Sequence, residues 1–390
     1  MSQTTHTPVV REPLREAPQA SPSASPASAA PKRWRRAFWG WLVASLVLSG
    51  LTALLGVHLF FFSERSVPPP PGRKIAVPFA DNPAVLAPFS QWVVQEDGRN
   101  KPFDTFCRET VRTVTGREKF EGNNPIAVVL SWLLLYEKDR EKAQDIARKT
   151  GCDWEEYPFI LCDFHELREI LYRDRRGSGA ELTEEELHGK YVEPSTVRNS
   201  LNFKKIIRES AAKTEKDSRA TLTKLELKAR EVKKRLAFYD RIRAGGQEGR
   251  ERVHAPGEFG VVALDRHGKT WFSLRSVREY RQNAQLWDEM LRARRIANHH
   301  DYAGKGFQPI PSQAIAQVDQ SFQSLQTAYR SGDAETFSSA AGNFFAIIGR
   351  ISETFSAYPG TQTTGLELWY NSANPFRKAW IVSLLAALLF

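Results

Sequence analysis

The sequence predicts a mainly α-helical extracytoplasmic domain, anchored in a membrane and carrying a small β-hairpin. Three features lead there. Ala37 to Phe62 is an unbroken uncharged run, apolar residues recur at helical spacing through most of the chain beyond residue 79, and a strand–turn–strand pattern lies near residue 260.

Residues 1–36 open the chain. They are rich in Pro, Ala and Ser, lack the apolar content that would offset ordering entropy, and predict a disordered tail. The run at 37–62 (AFWGWLVASLVLSGLTALLGVHLFFF) has 26 residues without Asp, Glu, Lys or Arg. About 20 such residues cross a bilayer core of roughly 30 Å. A cleaved signal peptide would be shorter and end in small residues, whereas this run closes on Phe60, Phe61 and Phe62. Lys32, Arg33, Arg35 and Arg36 flank its start, so the tail is expected in the cytoplasm and the rest outside the inner membrane. A Pro-rich spacer comes next at 63–78.

The extracytoplasmic domain is expected over 79–378. Cys107 to Val114 reads as a short helix, and Pro125 to Tyr136 as a buried core helix with proline in its first turn. Tyr157 to Cys162 reads as a buried strand and His165 to Arg173 as a helix. From about 203 to 243 the chain is heavily charged, with Leu222, Leu225, Leu227, Val232, Leu236, Tyr239 and Ile242 at helical spacing and no Pro or Gly. It predicts one long solvent-exposed helix, or half of a helical hairpin. A β-hairpin is expected over 259–274, then helices at 276–296, 311–329 and 334–356. The final 12 residues, Ala379 to Phe390, are uncharged and read as the first half of a second membrane helix, with an amphiphilic tail as the alternative.

Chemistry is sparsely signalled. The net charge of +10 sits largely beside the anchor and along the charged helix, with no nucleic-acid motif, so no nucleic-acid partner is expected; membrane lipid is. Of three cysteines, Cys152 and Cys162 could close a short disulfide loop. GxSxG, HExxH, GxxxxGK[ST] and CxxCH are all absent, so neither a catalytic nor a metal site is expected within the chain. His58 lies inside the anchor near its outer end and is the weak candidate for a cofactor ligand. His165, His254 and His299 would be the reserves. His299-His300-Asp301 reads as a polar helix end, because adjacent side chains diverge.

The most distinctive stretch is Gln91 to Phe120. A strand at Trp92 to Val94 would turn at Asp97-Gly98, and Arg99, Lys101 and Pro102 come after it. Asp104 and Thr105 are N-cap candidates for a helix carrying Arg108, Glu109 and Arg112. Two readings stand side by side: a charged turn with a capped helix, or a polar surface whose Arg and Lys meet an anion such as a propionate.

At these residues the chain resembles a family. QEDGRNKPFDT (Gln95 to Thr105) with Arg108-Glu109 and then Thr115-Gly116-Arg117 is similar to the V-x-D-x-G-R-x-K-P-x-D-T-x-A-R-E and T-G-R motifs of cytochrome c assembly proteins of the CcsA/ResC type. ELWYNSANPFRKAW (Glu367 to Trp380), with Tyr370, Asn371, Pro375 and Phe376, is similar to the E-x-x-Y-N-x-x-x-P-F-x-x-A-W leading into their next membrane helix. Cys107 stands where that family usually has Ala. The resemblance implies a part in c-type cytochrome biogenesis, with haem as the cofactor of the full complex, and other assembly subunits and apocytochrome c as partners. It implies no ligation chemistry here, because the tryptophan-rich WGxxWxWD loop has no counterpart in this sequence, and it assigns no role to the matched residues. The alternative is a single-pass structural or sensory protein whose helical domain binds another envelope protein.

Overall fold

A computed structural model describes residues 45, 74–96, 99–177, 181–246, 259–263, 271–282, 312–355, 361–373 and 375–389. Apart from residue 45, the expected anchor lies outside them, and so do His58, the turn Asp97-Gly98, His254 and His299. Two units divide the chain: Ser66–Trp380, and Met1–Arg65 with Ile381–Phe390. The first is mainly helical with small antiparallel sheets.

Helix α1 (Pro83–Ser90) starts where the Asn82 side chain accepts the Val85 N–H and Pro83 occupies the first turn. Strands β1 (Val93–Glu96) and β2 (Arg99–Pro102) form an antiparallel hairpin pairing Glu96 with Arg99, which leaves two residues between them. Pro102 cannot donate to a ladder and closes β2, an edge strand, so no hydrogen bond is lost. Helix α2 (Phe103–Thr115) begins at the next residue, and the Phe103 N–H bonds the Trp92 carbonyl at 2.7 Å. Gly116 ends it in a left-handed conformation (φ 78°), where a Cβ would meet Leu161 Cδ2 at 2.7 Å.

Helix α3 (Pro125–Leu134) is buried along all ten residues, as its length and composition predict. Its one interior hydroxyl is satisfied: Ser131 Oγ donates to the Val128 carbonyl and accepts Trp154 Nε1–H at 2.8 Å. Trp132 packs edge-on against Trp154 and Tyr239, and Phe159 completes the aromatic cluster. Helix α4 (Arg140–Thr150) is amphiphilic, with none of its residues fully buried.

The predicted strand at 157–162 shrinks to β3 (Ile160–Leu161), although Tyr157, Phe159 and Cys162 are buried as expected. Helix α5 (His165–Arg176) comes next, then the short α6 (Glu184–His188), then β4 (Tyr191–Val192), which pairs with β3. Helix α7 (Pro194–Asn199) leads into the charged region.

That region is not one helix. It divides into α8 (Leu201–Lys216) and α9 (Lys224–Ala244), a helical hairpin within itself. The break comes from capping rather than from Gly or Pro. Thr223 accepts the Glu226 N–H, and the Glu226 carboxylate accepts the Thr223 N–H and hydroxyl, a complete capping box. Nor is α9 solvent-exposed all round, because Val232, Tyr239 and Ile242 are buried against the core.

The hairpin expected at 259–274 is present in shortened form, with its first two residues drawn to another strand. Strand β5 (Phe259–Gly260) joins β1, while β6 (Val262–Ala263) pairs with β7 (Trp271–Phe272). Helices α10 (Leu274–Gln282), α11 (Ser312–Ser331) and α12 (Ala334–Phe355) complete the core. Phe337 on α12 stacks with Phe79 and Phe89, drawing the two ends of the domain onto one core. Helices α13 (Thr361–Ala373) and α14 (Pro375–Leu389) end the described chain. Among the described residues, no helix is long and apolar enough to cross a membrane.

The three cysteines are free and buried, so the short loop that Cys152 and Cys162 could have closed is not formed. Burial pushes the thiols of Cys152 and Cys162 up to about 12 and about 11, and that of Cys107 well above its usual value.

Candidate functional site

The two motif segments that stand out in the sequence meet in space. Their meeting point is Glu367 on α13. Arg99 Nη2 on β2 donates to Glu367 Oε1 at 3.0 Å, and Thr105 Oγ1 on α2 donates to the same oxygen at 3.4 Å. The ion pair is largely exposed on its arginine side, so its contribution to stability is small, about 0–1 kcal/mol.

The same hairpin and helix carry a second charge cluster, centred on a buried lysine. Lys101 Nζ bonds Glu96 Oε2 at 2.8 Å and Glu109 Oε2 at 2.5 Å. Glu96 and Lys101 are diagonal neighbours on one face of the hairpin, which brings opposite charges within reach. Both side chains are under a tenth exposed. Burial lowers the Lys101 pKa, but the hydrogen bonds to Glu109 and Glu96 outweigh it, and the ammonium sits above its usual value.

The predicted N-caps are corrected. Pro102 is the N-cap residue of α2, with extended backbone and no side-chain cap bond, because its ring fixes the extended-to-helical corner. Asp104 and Thr105 therefore lie inside the first turn. Asp104 is buried and accepts Arg108 Nε–H at 2.8 Å, a bond that holds the arginine above its usual pKa. Arg112 faces Glu118 at 3.6 Å.

Other predicted site residues fall elsewhere. Tyr370 is on α13 and exposed; Asn371 belongs to the same helix, and Pro375 and Phe376 open α14. His165 is exposed at the start of α5. The residues that sequence reasoning passed over as site members are Glu96 and Glu367. The first was recoverable from a two-residue hairpin register, but the second needs a contact across 268 positions.

No family model matches the chain, and no curated protein is significantly similar to it. The resemblance therefore rests on the motif residues alone.

Arg99, Lys101, Arg108 and Arg112 each face a carboxylate of the chain itself. Such cations would have to give up a partner before meeting a propionate. What the arrangement does well is hold β2, α2 and α13 in one register.

Proposed function

We propose that this chain is a membrane-anchored, extracytoplasmic component of c-type cytochrome biogenesis that supplies a scaffold rather than the haem-ligating core. The supporting observation is the junction at Glu367. The two segments similar to the CcsA/ResC-type motifs lie far apart in sequence and share one carboxylate. A hairpin tied to the helix that leads into the apolar 379–390 run is suited to fixing that run's entry point. Haem would be handled by a tryptophan-rich core on a partner, with apocytochrome c as client.

The test is genetic and biochemical. Deleting the gene should abolish covalently bound haem in c-type cytochromes while apocytochrome is still made. Glu367→Arg should fail to restore it, and the charge swap Arg99→Glu with Glu367→Arg should restore it in part. Normal holocytochrome in the deletion strain would reject this reading in favour of a structural or sensory envelope protein.

A further inference from the structure

Helix α13 has two unlike sides. Glu367 and Leu368 are half-buried against the domain, whereas Leu366, Trp369 and Tyr370, at spacings i, i+3 and i+4, are 65%, 62% and 42% exposed. Scattered single apolar residues on a surface are ordinary, but an exposed helical stripe containing Trp and Tyr is not. The next segment of the chain indicates its occupant. Asn374 alone separates α13 from α14, which begins Pro375-Phe376-Arg377-Lys378 and continues as an uncharged run with Trp380, Val382 and Leu385 exposed. One intervening residue spans only a few ångströms. If α14 enters the bilayer, the end of α13 is held at headgroup level, where Trp and Tyr side chains partition and Arg and Lys meet anionic lipid.

We infer that α13 is an interfacial helix: Leu366, Trp369 and Tyr370 seat among lipid headgroups while Glu367, on its other side, is clamped by Arg99 and Thr105. The clamp and the lipid would together set the height of the domain above the bilayer. This rests on the membrane anchoring proposed above, not on the cytochrome reading.

The test uses the full chain in vesicles of phosphatidylcholine with phosphatidylglycerol. The native thiols are buried with raised pKa values, so Leu366→Cys can be labelled selectively with an environment-sensitive fluorophore. Leu201→Cys, at a position 74% exposed on α8, is the aqueous control. The label at 366 should be quenched by headgroup nitroxide lipids, with aqueous iodide quenching roughly threefold or more below that at 201, as expected for a face about 5–10 Å into the interface. Three outcomes would overturn the inference. A label at 366 that behaves like the one at 201 on vesicle-bound protein leaves anchoring intact and removes the interfacial helix. Protection from iodide without lipid quenching assigns the face to a protein partner. Failure of the chain to float with vesicles removes the anchoring itself.

Discussion

Lys101 ties the hairpin to α2 through two carboxylates. Its ammonium is buried between two carboxylates, one of them also buried. Removing one partner of a buried pair leaves an uncompensated charge, so Lys101→Met should destabilise the domain by about 3 kcal/mol in denaturant unfolding. Replacing both partners with neutral side chains of similar size is often close to neutral. The Lys101→Met, Glu96→Gln double variant should therefore recover most of the loss, and a double variant as unstable as the sum of the singles would exclude coupling. Glu367 behaves differently. Its pairing with Arg99 is mostly exposed, so Glu367→Gln should change stability little while affecting the placement of α13.

At the scale of elements, the break between α8 and α9 shows how a cap overrides a continuous charged pattern. Thr223→Ala should cost about 1 kcal/mol, the usual value of a lost N-cap. The pH dependence arises from the same box. The Lys213 ammonium, with the Thr223 N–H, holds Glu226 at about 2, down from 4.5. A depressed carboxyl pKa stabilises the fold above the unfolded value and loses that contribution as pH falls through the folded one. The α8–α9 hairpin should thus weaken between about pH 4.5 and 2, and Glu226→Gln should flatten that part of an acid titration followed by circular dichroism. Helix periodicity was legible in this stretch, and so were the helices at 125–134, 312–331 and 334–355. The capping box is also written in the sequence as Thr223-x-x-Glu226, a signal that a search for Gly and Pro breakers does not detect. Of the two-residue strands, β3 lies inside the strand expected at 157–162 and β6 and β7 inside the expected hairpin, whereas the pairing of β3 with β4 and of β5 with β1 joins segments far apart in the chain and left no such trace.

Over the whole molecule, the core is closed by contacts between distant parts of the chain. Phe337 is fully buried and stacks with Phe79 at 5.1 Å and Phe89 at 5.4 Å, while Tyr329 reaches back to the Pro78 carbonyl at 3.3 Å. Phe337→Ala should cost about 3–5 kcal/mol in global unfolding, as for other large-to-small core substitutions. A loss confined to α12 would instead show that the two ends fold independently. The sequence alone determined the helical class, the buried helix at 125–134 and the two motif segments, because apolar periodicity and turn chemistry are local properties. Only the tertiary structure decided that Lys101 is neutralised from two sides, that the cysteines stay apart, and that Glu367 joins the motifs. Those outcomes depend on which side chains come within a few ångströms after the chain has folded, and residue spacing along the chain carries no record of such distances.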